Sequence, residues 1–138
     1  MSPDRDPTRP QSWLRRARSN LARARLLAGQ PEVVYEDLCF DAQQAAEKAF
    51  KAVLVHRGMA FPKTHALADL LTLVARSGLE VPADVREATL LTPYAVEARY
   101  PGLWEEVTPA DHQDALRVAQ HVVAWAEKVV TGSPAAPR

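Results

Sequence analysis

Small apolar residues recur every three or four positions through most of this chain, a spacing that confines it to helices packed on one another. The longest run covers 33–57. Tyr35, Cys39, Ala42, Ala46, Ala49 and Val53 form one stripe, and Leu38, Ala45 and Ala52 form a second a little way round. Two stripes on one helix require neighbours on more than one side, so this helix is expected at the centre. Its alanines permit close approach, and Gly58 ends it. Strand-like alternation is almost absent.

The other helices follow from the same period and from their start and stop signals. Leu14, Ala17, Leu21, Ala24 and Ala28 line one face over 12–28, with Ser12 as cap and Gly29 and Pro31 as terminators. After the loop 61–65, Thr64 is expected to cap a third helix carrying Leu67, Leu70, Leu71 and Val74, which stops near Ser77 and Gly78. Pro82 opens a shorter piece with Val85, Ala88 and Leu91; Pro93 interrupts it, and 94–104 is the least regular stretch. Thr108, Pro109 and Asp111 then supply a cap, a first-turn proline and a first-turn acid for a last helix to about Val130, with Leu116, Ala119, Val123 and Ala126 inward. Short connections make neighbouring helices antiparallel. The expected fold is all-α: an antiparallel up-and-down bundle of four to five helices over 12–130, with a disordered arm over 1–11 and a disordered tail over 131–138.

A length of 138 residues suits one domain, and an apolar share of 47% suits a real core. The formal net charge is zero, so attraction to nucleic acid would need a local patch. The helix over 12–28 offers one: Arg15, Arg16, Arg18, Arg23 and Arg25 stand there without an acid. Such a helix suits an acidic protein partner better than RNA, since Trp13 is the lone aromatic nearby. One cysteine excludes an internal disulfide, and no signal peptide or membrane-length apolar run is seen. The chain reads as cytoplasmic and not membrane-bound.

Chemical motifs are mostly missing. Five glycines write neither a P-loop nor Gly-x-Gly-x-x-Gly, and no cofactor is expected. His56, His65, His112 and His121 include no i, i+4 pair, so no metal site is expected. Cys39, on an inward stripe, reads as a core thiol. Gln44, Lys48 and Lys51 lie on one flank of the central helix, with Glu47 four residues before Lys51. They form either a solvated stripe with one ion pair or an anion site for phosphate.

The run FDAQQAAEKAFKA over 40–52, then KTHAL over 63–67, then Tyr94 with Arg99, Tyr100 and Pro101, resembles the signature of the HEPN family (higher eukaryotes and prokaryotes nucleotide-binding) in order and spacing. The resemblance implies a helical bundle that is usually a homodimer. It implies a partner as well, because many such domains are encoded beside a minimal nucleotidyltransferase as two-component or toxin–antitoxin systems. Others are implicated in nucleotide or RNA binding. On this reading Gln44, Lys48, Lys51, His65, Tyr94 and Arg99 are the ligand-binding set. Each also has a structural reading: Arg99 tying down the turn before Pro101, His65 bonded locally at a helix start.

Many HEPN proteins are ribonucleases carrying Arg, four to six residues, then His. Here Arg57 and His65 have seven residues between them, Arg99 and His112 have twelve, and Arg117 and His121 have three. None fits, which points to a binding module rather than an enzyme. Arg117 and His121, one helical turn apart, are the nearest catalytic candidates for the alternative, a divergent metal-independent ribonuclease.

Overall fold

The structure is a computed structural model that describes residues 5–102 and 104–132. Helix α2 (Tyr35–His56) is its axis: 14 of its 22 residues are buried, including Ala42, Ala45, Ala46, Ala49 and Ala52. α1 (Pro10–Leu26) and α5 (Pro109–Thr131) pack on α2 and on each other, and α3 (Leu67–Arg76) and α4 (Ala83–Arg86) cover a further side. The described residues hold five α-helices, two 3-10 segments (Glu87–Ala95 and Glu97–Arg99) and no strand. None of the helices is long and apolar enough to cross a membrane.

Cross-helix pairs give the directions. Trp13 meets Lys51, Asn20 meets Lys48 and Arg23 meets Asp41, so α1 runs antiparallel to α2. Arg18 pairs with Glu127 and Ala24 with His112, so α1 is antiparallel to α5 as well. α3 departs from this pattern. Arg57 donates to the carbonyl of Ser77, while Gln43 donates to the carbonyl of His65, so α3 follows the second half of α2 in the same direction. The loop 57–66 carries the chain back along α2, and that return sets His65 beside the middle of the central helix.

Several boundaries differ from the sequence reading for local reasons. α1 begins at Pro10, whose fixed φ suits the first turn, and Ser12 is buried inside the helix rather than capping it. Residues 5–9, expected within a disordered arm, make definite bonds: Asp6 Oδ1 accepts from Thr8 N at 2.9 Å, and Trp13 Nε1 donates to the Pro7 carbonyl at 2.9 Å. α3 begins at Leu67; Thr64 Oγ1 instead accepts from Ala66 N at 3.0 Å, holding the turn ahead of the helix. Pro93 does not end its segment, because tight 3-10 turns run on to Ala95. α5 starts as expected, with Asp111 N donating to Thr108 Oγ1 (3.1 Å) and Thr108 N to Asp111 Oδ2 (2.9 Å). Gly132, at φ +66°, closes it in the left-handed conformation that glycine adopts without steric cost. Residues 1–4 of the expected arm and 133–138 of the expected tail lie outside the described residues.

Candidate functional site

The polar residues of the 40–52 run do not form a solvated stripe. Glu47 is 3% exposed, Gln43 fully buried and Lys51 8% exposed. One carboxylate organises them. Lys51 Nζ donates to Glu47 Oε2 at 3.0 Å, Gln43 Nε2 to Oε1 at 3.2 Å, and His65 Nδ1 stands 2.7 Å from the same Oε1. Gln43 Nε2 also reaches the His65 carbonyl at 3.3 Å, and Gln44 Nε2 donates to Gln43 Oε1 at 2.7 Å. Burial alone would raise the Glu47 pKa. The hydrogen bonds from His65, Lys51 and Gln43, with the Lys51 charge, outweigh it and hold the carboxyl below its ordinary value. Across the lysine lie two aromatic rings: its Nζ is 5.7 Å from the Trp13 centroid and 5.6 Å from that of Phe61.

The spacing has a plain cause. Gln43, Glu47 and Lys51 are successive i, i+4 positions on one face of α2, and the returning loop lays His65 across them. Lys51 is therefore tied to a carboxylate and enclosed, so it is not available as an open phosphate ligand. Lys48 faces α1 instead. Its Nζ donates to Asn20 Oδ1 at 2.7 Å, and Asn20 Nδ2 donates to Asp41 Oδ1 at 3.0 Å. Burial lowers the Lys48 pKa, and the neighbouring charge of Arg16 lowers it further.

The remaining expected ligands do not join this group. Tyr94 lies beside Cys39 near the start of α2, about 13 Å along the helix axis from Lys48. Burial pushes both groups up to about 12, with Asp111 adding to the effect on Cys39 and Cys39 itself to that on Tyr94. Arg99 closes a 3-10 segment, and its side chain lies outside the described part of the structure. Each catalytic candidate faces a carboxylate of α4 or of the 3-10 segment after it. Arg117 Nη1 is 3.2 Å from Glu87 Oε2, and His121 Nδ1 is 3.9 Å from Asp84 Oδ2, too far for a hydrogen bond. His112 is fully enclosed: Nε2 lies 2.7 Å from the Ala24 carbonyl, and the ring packs on Tyr35 at 5.4 Å. Among the described residues no cluster of three or more His, Cys, Asp or Glu could hold a metal ion.

Two surface features lie away from this group. A cavity of about 260 Å³ is lined by Arg5, Pro7, Ser12, Trp13 and Arg16, where the segment before α1 folds back on the helix. A cleft of about 340 Å³ is walled by Val34, Ala98, Tyr100, Pro101 and Trp104 and edged by Glu36, Asp37 and Glu106. Val34, Tyr100 and Trp104 are about half exposed there, although all are large and apolar. Both depend on how irregular segments meet helix ends, which periodicity does not encode.

A helical bundle whose central helix carries a buried Gln–Glu–Lys set, tied to a Thr-His loop, is the class of domain these residues define. The HEPN domain model matches residues 10–129, and the chain belongs to the HEPN family. It is also similar to the crystal structure of an archaeal HEPN homologue: TM-score 0.69, 28% identity, covering 88% of this chain and 98% of that one. A comparison with curated proteins finds no match.

Proposed function

We propose that this chain is a non-cleaving HEPN binding module of the cytoplasm, a homodimer that associates with a minimal nucleotidyltransferase in a toxin–antitoxin-like pair and binds a nucleotide or RNA. The observation that carries the partner half is the cleft at Val34, Tyr100 and Trp104. Exposed aromatic side chains in a concave, partly acidic setting are the composition of an interface core with a polar rim. The binding half draws on the cationic flank of α1 and α2, to which Lys48 adds its charge. Support for the absence of cleavage comes from the Arg-to-His spacing and from the salt bridge between Arg117 and Glu87.

Sedimentation velocity at micromolar concentration tests the dimer. A dimer is expected for the wild type, and a monomer of unchanged melting temperature for Trp104→Ala, whose side chain is half exposed. A clean wild-type monomer overturns the homodimer. Co-expression with a minimal nucleotidyltransferase encoded beside the chain is expected to yield a stable complex, and two separately migrating proteins would remove that partner.

The ribonuclease alternative has one observation in its favour. His121 Nδ1 is buried without a hydrogen-bond partner among the described residues, on the same α5 face as Arg117.

A further inference from the structure

The cavity before α1 contains none of the residues that the sequence marks for ligand binding, yet its chemistry is one-sided. Arg5 and Arg16 line it, and among the described residues no carboxylate does. Among the described residues neither guanidinium makes an ion pair or hydrogen bond, whereas Arg18 and Arg23 of the same helix pair with Glu127 and Asp41. Of the described acids nearby, Asp6 is engaged with Thr8, Asp41 with Asn20 and Arg23, and Glu47 with Lys51 and His65. Positive charge therefore accumulates at this corner. Arg16 is close enough to depress the charging of Lys48, second only to burial in that effect. Like charges gathered at one corner are relieved by a bound anion.

One wall of the cavity is a fixed aromatic ring. The Trp13 indole is held at its nitrogen by the Pro7 carbonyl (2.9 Å), and it meets Phe61 edge to face at 5.8 Å and 80°. Two unpaired guanidiniums match phosphate oxygens, each able to donate a pair of hydrogen bonds. A rigid indole beside them offers a flat apolar surface to a base. The volume of about 260 Å³ falls just under the roughly 300 Å³ at which small-molecule sites begin, the scale of a single small ligand.

We propose that this cavity is an anion site for the phosphate groups of a free nucleotide, with Arg5 and Arg16 as the clamping residues and Trp13 as the wall beside the base. The proposal rests on the reading of the chain as a binding module and moves the ligand off Lys51, which is enclosed with Glu47, to the cavity that Trp13 lines. Lys48 contributes field rather than contact.

Isothermal titration of the full chain with ATP, pyrophosphate, AMP and adenosine tests it, using wild type, Arg5→Gln, Arg16→Gln and, as a control, Arg25→Gln. ATP and pyrophosphate are expected to bind saturably and adenosine to give no heat. Arg5→Gln and Arg16→Gln should each weaken ATP about tenfold or more, the loss of a charge-assisted hydrogen bond. Arg25→Gln should leave it unchanged, and added salt should weaken binding. Because neither arginine is paired, both variants should keep the wild-type melting temperature. ATP binding of equal strength in wild type and both variants overturns this site but leaves the binding-module reading intact. No heat from any phosphate compound at millimolar concentration overturns the site too, and the partner reading then stands or falls by sedimentation. A single-stranded oligonucleotide that binds more tightly than ATP, with the same dependence on Arg16, would overturn the free-nucleotide assignment in favour of RNA.

Discussion

Glu47→Ala removes the carboxylate around which Gln43, Lys51 and His65 are arranged, and its consequence can be worked from burial. Lys51 stays behind at 8% exposure with the carboxylate that pairs with it gone. Breaking a buried pair from one side costs about 3–5 kcal/mol, because the remaining ion is desolvated without compensation. The Trp13 and Phe61 rings, both within 6 Å of Nζ, retain about 1 kcal/mol of that. His65 is mostly exposed and adds little. The net expectation is about 3 kcal/mol, or roughly 10 °C in Tm for a domain of this size. Urea unfolding followed by circular dichroism reads it. Adding Lys51→Met should restore most of the loss, since an apolar side chain of similar length fits the aromatic slot.

The same carboxylate sets an acid limb. Its folded pKa lies below the ordinary 4.5, so the unfolded chain binds the proton more readily. The stabilisation is complete above about 4.5 and is lost as pH falls through the folded value. Wild type should therefore lose stability more steeply below pH 4.5 than Glu47→Gln. A cost under about 1 kcal/mol for Glu47→Ala at pH 7, with no change in the acid limb, would refute the reasoning.

Two further outcomes follow from enclosed groups. His112→Ala leaves the Ala24 carbonyl without its partner and a gap beside Tyr35, so it should cost about 2–3 kcal/mol in urea unfolding; a change under about 0.5 kcal/mol would contradict that bond. Cys39 is fully buried, with its thiol pushed up to about 12, so a disulfide reagent at pH 8 should label it only in denaturant, and rapid labelling of the folded chain would contradict its placement.

The long helices were readable because their determinants are local. The alanine stripes of α2 and the Thr108–Asp111 cap are properties of neighbouring residues, and both stand where the spacing put them. Glu47 and Lys51 show where local reading stops. Their i, i+4 relation was plain, but a solvated pair and a buried one look alike until α1 and the returning loop are in place. Tyr94 shows the same limit: its partner Cys39 is 55 positions away, and only tertiary packing brings them together. The Arg5–Arg16 cavity was hidden because Trp13 anchors a proline-bearing segment whose composition reads as an unstructured arm.

The most direct test of the binding-module account is incubation of end-labelled single-stranded RNA with purified protein, without metal, beside a His121→Ala and an Arg117→Ala variant. The account predicts RNA that stays intact with all three. Cleavage by wild type that disappears in either variant would contradict it and return the chain to the ribonuclease branch of its family.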